Sequence, residues 1–192
     1  MINQLQQLKH LITESEKIKT VLVQEPLPVE PAELSPVMSE QTLALHFDKL
    51  AHAYVTRYNK GEGDPEFNHA GAVLHNIFFA QVCKPKSTNL PHGAAKLFID
   101  KHYTTGFTEF KTEFEQAAMG IQGSGWVYLA KNGNVKTIVN HEIRSDIVLL
   151  IDWWEHSWIL DYGVDKKKYL QNMWKIVDWS VINDRLNTTN EK

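Results

Sequence analysis

Apolar side chains at Ile2, Leu5, Leu8, Leu11, Ile12, Ile18 and Leu22 recur near the spacing of one helical stripe, which predicts a short amphipathic helix over residues 2–23. Prolines at 26, 28, 31 and 36 then remove backbone donors and disfavour helix in their predecessors, so residues 25–36 read as an extended linker. From Ser39, a permissible N-cap, Leu43, Phe47, Leu50, Tyr54 and Tyr58 mark a helix to about residue 59. The stretch 61–67 breaks it, and a second helix over 68–82 ends at Lys84-Pro85, making an antiparallel hairpin. Residues 93–103 and 107–119 read as further helices. Two β-prone runs, 126–130 and 135–139, flank Lys131-Asn132-Gly133-Asn134, a hairpin signal, and the aliphatic run 147–151 predicts a third strand. Tyr169, Met173, Trp174, Val177 and Ile182 give residues 166–187 helical spacing. The expected class is α+β, an N-terminal α-helical hairpin followed by a C-terminal α/β domain with a small antiparallel three-stranded sheet. The expected division is an extension over 1–32, the hairpin domain over 33–91 and the α/β domain over 92–192.

Length fits one large domain or two small ones sharing a core, since the chain has 192 residues. With 43% hydrophobic and 22% charged residues, it has enough apolar surface to fold without disulfides. A formal charge of -3 offers no long-range attraction for nucleic acid or anionic lipid, and neither is expected as a partner. The single cysteine, Cys83, excludes an intrachain disulfide and a four-thiolate zinc site, which leaves histidine and carboxylate to hold any metal. No apolar run approaches the roughly 18 residues of a membrane helix. The first residues lack the basic start and apolar stretch of a signal peptide, and they lack arginine, so the expected location is cytoplasmic.

Nine histidines are present, and His46 and His75 lie in apolar stretches of the two hairpin helices, where each could face the other. Taken alone, each is equally readable as a hydrogen-bonded core residue. Asp152 and His156 change the picture, because a carboxylate and an imidazole four residues apart follow directly on the third strand among Trp153, Trp154 and Trp158. A buried carboxylate requires a cation, a metal or several donors. Three imidazoles with one carboxylate suit Fe, Mn, Zn or Co, the alternative being an Asp-His hydrogen bond packed by tryptophan.

The segments His46-Phe47-Asp48-Lys49 with Tyr54-Val55, His75 with Phe78, Gly123-Ser124-Gly125-Trp126, and Asp152-Trp153-Trp154-Glu155-His156 resemble, in order and approximate spacing, the successive signatures of iron/manganese superoxide dismutases. The resemblance spans residues 33–186. It implies that His46, His75, Asp152 and His156 ligate one Fe or Mn ion per subunit, with water or hydroxide in a fifth place. It implies disproportionation of superoxide to dioxygen and hydrogen peroxide. Tyr54 matches the tyrosine that guards the substrate channel, though it also reads as a helix-face aromatic. Trp126 and Trp154 would wall the metal, or serve as ordinary core aromatics. Glu155 would reach across a twofold axis to His156 of a second copy, giving a homodimer; otherwise it is a solvated acid at a helix start.

The sequence departs from the pattern in specific places. Leu50 stands where the family usually has histidine, and Ile159 where it usually has tyrosine, so the polar pair expected at the channel and dimer interface is aliphatic here. Leu74 and Ala80 stand at positions around the second ligand that are often more polar or aromatic. The glutamine that commonly hydrogen-bonds the bound solvent is missing, since the helix position reads Gly71 or Ala72. His141, after the hairpin, is the candidate in its place, with an exposed loop histidine as the plain alternative. The resulting expectation is a superoxide dismutase. The alternative is a catalytically weak or inactive relative with a structural or assembly role, in which the first residues dock a partner. A zinc hydrolase using Glu155 as base has no support in the order of motifs.

Overall fold

The computed structural model describes residues 21–188, so the helix expected over 2–23 falls outside them except for its last three positions. The proline-rich stretch is not a free linker. It folds into a 3-10 turn at Pro31–Leu34, and it buries Leu34, Val37 and Met38 in the core while Leu27 and Val29 pack against it. Helix α1 (Glu40–Leu45) starts where Ser39 accepts a hydrogen bond from the Thr42 amide. It runs without a break through a π-helical turn (His46–Ala51) into α2 (His52–Lys60). The periodicity predicted one regular helix here. A wide turn displaces the stripe by a single residue, which three-to-four spacing does not reveal.

Helix α3 (Pro65–Phe79) begins three residues earlier than the hydrophobic pattern indicates. Asp64 accepts the Phe67 amide and Pro65 occupies the first turn, so the residues that read as a breaker are the helix start. The helix stops at Phe79 rather than 82, because Val82 pairs with Val177 and the Cys83 amide bonds Ile176 O at 2.7 Å. Helices α4 (Gly93–His102) and α5 (Phe107–Met119) follow.

Strands β1 (Gly125–Ala130), β2 (Val135–Val139) and β3 (Ile147–Asp152) form one antiparallel sheet in the order β2-β1-β3. Gly133 takes φ +88° in the hairpin, and a Cβ there would sit 2.2 Å from the His102 ring, so only glycine fits. Strands β1 and β3 are buried along their whole length because helices cover them: α5 packs on β1 and β2, and α3 and α8 on β3. Beyond the 3-10 turn Glu155–Ser157 come α6 (Ile159–Tyr162), α7 (Lys166–Met173) and α8 (Trp179–Asn187). The last two replace the single helix expected over 166–187. Asp178 accepts the Ser180 amide to start α8, while its own amide bonds Gln81 O at 2.7 Å. Trp174, Val177 and Ile182 are buried on both sides of the break, so burial preserved the stripe although the backbone did not.

Candidate metal centre

Four elements deliver one side chain each to one point. His46 opens the π-helical turn, His75 lies in the last third of α3, Asp152 ends β3 and His156 sits in the 3-10 turn after it. From Asp152 Oδ2, the Nε2 atoms of His46, His156 and His75 stand at 3.1, 3.4 and 3.6 Å. Two ligands about 2.1 Å from a shared ion are about 3.0 Å apart at a right angle and about 3.6 Å apart at 120°. The spacing is therefore that of donors around an ion, and all four lie within 4.8 Å of one another.

Proton positions agree. The His75 Nδ1–H donates to Gly71 O at 2.6 Å, which leaves Nε2 with its lone pair, buried and without a hydrogen-bond partner among the described residues. His46 Nε2 is likewise buried and meets Asp152 Oδ2, its ring held between His75, Phe78 and Phe79 at centroid distances of 5.1, 5.6 and 4.8 Å. Burial is the largest influence on both imidazoles and lowers their proton affinity, pushing His75 down to about 3. Burial alone would raise Asp152, but His156 and His46 beside it hold the carboxyl well below the usual range. Its other oxygen accepts the Trp154 amide at 2.7 Å, and Tyr169 OH donates to its backbone carbonyl at 2.8 Å. A buried anion facing three imidazole nitrogens is a donor set that a divalent or trivalent cation satisfies.

Around these four, the Trp126 Nε1–H donates to His141 Nδ1 at 3.1 Å. Neutral His141 must then carry its proton on Nε2, which is buried and unpartnered among the described residues. Burial pushes His141 down to about 4, so it is neutral at pH 7. Trp154 stacks on it at 4.5 Å, and Trp126 meets His75 edge-on at 5.0 Å. Tyr54 lies 5.3 Å from His75 and 4.8 Å from His141 between ring centroids, and burial pushes its hydroxyl up to about 12. The structure thus brings His46, His75, Asp152, His156, Tyr54, Trp126, Trp154 and His141 into one cluster. Glu155 is exposed beside it, and Leu50 and Ile159 are half-buried. A cleft of about 480 Å³, lined by Asp64, Glu66, Phe67, His69 and His141 among others, opens beside the cluster.

Several neighbours were not foreseen. Phe67 packs on His141 at 4.6 Å, although its position read as loop. Gly71 acts in two ways, since its carbonyl orients His75 and a Cβ on it would lie 2.8 Å from Tyr54 Cγ. A larger residue there would therefore collide with Tyr54, which leaves the hairpin side, where His141 stands, to supply a hydrogen-bonding group. The four-residue step from Gly71 to His75 was the available signal.

The family model for the C-terminal domain of iron/manganese superoxide dismutases matches residues 91–185. The manganese/iron superoxide dismutase of Porphyromonas gingivalis is 33% identical over 186 residues, covering 83% of this chain and 96% of that protein. The iron superoxide dismutase of Bacteroides fragilis is 32% identical with the same coverage, and the manganese/iron enzyme of Aeropyrum pernix is 30% identical over 84% of this chain and 88% of its own length. Similarity of that extent, on a chain whose helices and sheet gather this donor set, makes it a member of the iron/manganese superoxide dismutase family.

Proposed function

We propose that the chain is a superoxide dismutase that works at one iron or manganese ion held by His46, His75, Asp152 and His156. The observation that carries this reading is the convergence of three Nε2 atoms on Asp152 Oδ2, in a chain about a third identical to superoxide dismutases over most of its length. When bound, the ion supplies the one-electron couple that oxidises one superoxide to dioxygen and reduces a second, with two protons, to hydrogen peroxide. The protein's part is to hold donors, exclude water and place protons. His75 is fixed in the ligating tautomer by Gly71 O, and the His46 ring is held in place by the aromatic rings around it. His141 offers an Nε2–H and Tyr54 a phenol that stays protonated at neutral pH, so both serve as proton-carrying groups next to the ligands. Trp126 and Trp154 wall the site against solvent.

Exposed Glu155 next to His156 fits a homodimer in which each glutamate meets the partner copy's ligand histidine, fixing its tautomer from outside. In this reading residues 33–91 and 92–192 act as a hairpin and an α/β domain around the metal, residues 1–32 are an extension, and the protein works in the cytoplasm. Among the described residues no helix is long and apolar enough to cross a membrane.

A second reading is favoured by Leu50 and Ile159. Both are half-buried aliphatics where the family expects polar partners, so the fold and metal would persist with little turnover, in a structural or assembly role. Metal analysis of the purified protein together with a superoxide-consumption assay separates the two. Stoichiometric iron or manganese with rapid turnover supports the dismutase; a fully loaded, inactive protein supports the second reading. Absence of either metal after reconstitution overturns both.

A further inference from the structure

We infer that Gln81 and Arg185, which contact neither the ligands nor the substrate space, are positioning residues that set the spacing of His75 and Asp152; the inference rests on the metal-site reading above. Strand β3 lies at one edge of its sheet and is buried throughout, so its outward-facing backbone groups need partners other than a strand. The Gln81 amide provides them. Its Nε2 donates to Leu150 O, and its Oε1 accepts the Leu150 amide at 3.2 Å, so one side chain stands in for a neighbouring strand two residues before Asp152. Gln81 itself is 1% exposed, just beyond the end of the helix that carries His75.

Arg185, on α8, locks this arrangement from the other side. One guanidinium nitrogen donates to Gln81 Oε1 at 2.7 Å and to Val148 O at 3.0 Å. The other donates to Ile77 O at 2.7 Å, in the last turn of α3 and two residues after His75. A single planar fork therefore bridges the helix bearing one ligand and the strand bearing another. Sliding α3 along β3 would break bonds at both ends of the fork. The slide is also the motion that would change the 3.6 Å separation of His75 Nε2 from Asp152 Oδ2. Planarity and fixed geometry matter here, because an ammonium can satisfy one side but cannot span both.

The test uses the full chain as wild type, Arg185→Lys, Arg185→Met, Gln81→Glu and His75→Ala. Metal-free protein is titrated with Mn(II), followed by the electron paramagnetic resonance of the free ion, and with Co(II), followed by its visible absorption. Thermal midpoints of the metal-free forms are measured alongside. Arg185→Lys should lower the metal-free midpoint only slightly, while weakening Mn(II) binding about ten- to a hundredfold and altering the Co(II) spectrum. Gln81→Glu keeps the acceptors for Arg185 and the Leu150 amide but loses the donor to Leu150 O, and should shift both readouts in the same direction. Lowered midpoints with wild-type Mn(II) affinity and Co(II) spectrum would overturn the inference, leaving the pair as fold stabilisers. Should Arg185→Met fail to fold, Arg185→Lys alone decides. Wild type that binds neither ion, or that binds as His75→Ala does, overturns the metal site and this inference with it, and that failure is visible without any Arg185 or Gln81 variant.

Discussion

Replacing Gly71 by alanine tests whether the approach of α3 to Tyr54 is as close as the geometry requires. A helix-interior Gly→Ala change ordinarily stabilises by about 0.5–1 kcal/mol, because glycine loses more backbone freedom on folding. At Gly71 the added methyl lies 2.8 Å from Tyr54 Cγ and 2.9 Å from Cδ1. Carbon pairs settle at about 3.5–4.0 Å, so the overlap is about 0.7 Å or more. The ring has little room to retreat, since it meets a ring cluster of Phe67, His75 and His141 at 5.9, 5.3 and 4.8 Å. Overpacking costs about 1–3 kcal/mol, and an overlap this large against a confined ring belongs in the upper part of that range, about 2–3 kcal/mol, so the clash outweighs the propensity gain by about 1–2.5 kcal/mol. For a chain of this size that lowers the melting midpoint by about 2–10 °C.

The decisive measurement is a double-mutant cycle. With Tyr54→Ala in place the clash is gone, and Gly71→Ala should then stabilise, so the sign of its effect reverses between backgrounds. Superoxide consumption by Gly71→Ala should fall as well, because Tyr54 is displaced and the carbonyl that anchors His75 moves with it. An equal effect of Gly71→Ala in both backgrounds would refute the close contact and the coupling drawn from it.

Further outcomes follow from the same site. His75→Ala should abolish retention of iron or manganese; unchanged metal content in the purified variant would remove His75 from the ligand set. Trp126→Phe frees His141 Nδ1, lets the histidine adopt either tautomer and should reduce turnover by about tenfold without metal loss, read by parallel metal analysis and kinetics. Substituting Leu50→His together with Ile159→Tyr should raise turnover if a missing polar relay limits it, and an unchanged rate shows that protons arrive by another route. Urea unfolding of the metal-free protein should show stability falling as pH drops from about 6.5 toward 4. His141 and His75 have folded-state values of about 4 and about 3 against 6.5 when unfolded, so the unfolded chain takes up more protons across that window. Flat stability between pH 7 and 5 would contradict their burial as neutral rings.

Periodicity located most of the elements, and the chemistry of Asp152 together with the family resemblance pointed to the candidate site. Residues 107–119 and 135–139 matched their predicted spans, because each is a single stripe or alternation with a clear break at both ends. The errors arose where a local device overrode the pattern. Asp64-Pro65 signals a helix start by capping and φ restriction, although its neighbours are polar. Residues 166–187 kept their stripe across a break because buried side chains can maintain a period while the chain between them turns to pair Val177 with Val82. The π-helical turn at His46 was invisible for a related reason. It is stabilised partly from outside, by Gln24 Nε2 donating to Phe47 O at 2.8 Å across 23 residues of sequence. Long-range partners such as Tyr169 on the Asp152 carbonyl, or Arg185 on Ile77, leave no local trace in composition or spacing.

Electrostatics ties the site to stability. Without a cation, the buried Asp152 carboxylate is held in its charged form by His156 and His46 beside it, against the opposing effect of burial. A bound ion adds a further attraction in the folded chain alone, since the unfolded chain scatters the four donors along residues 46–156. Binding free energy must then appear as folding free energy, about 2.7 kcal/mol when free metal exceeds its dissociation constant a hundredfold. Metal-free protein should accordingly melt lower than loaded protein by an amount that grows with free-metal concentration. In Asp152→Asn the anion that His156 and His46 hold is gone, so the metal-free midpoint should fall while the metal-dependent increment vanishes. An Asp152→Asn variant that keeps the increment would mean that the carboxylate serves the fold alone and the cation sits elsewhere.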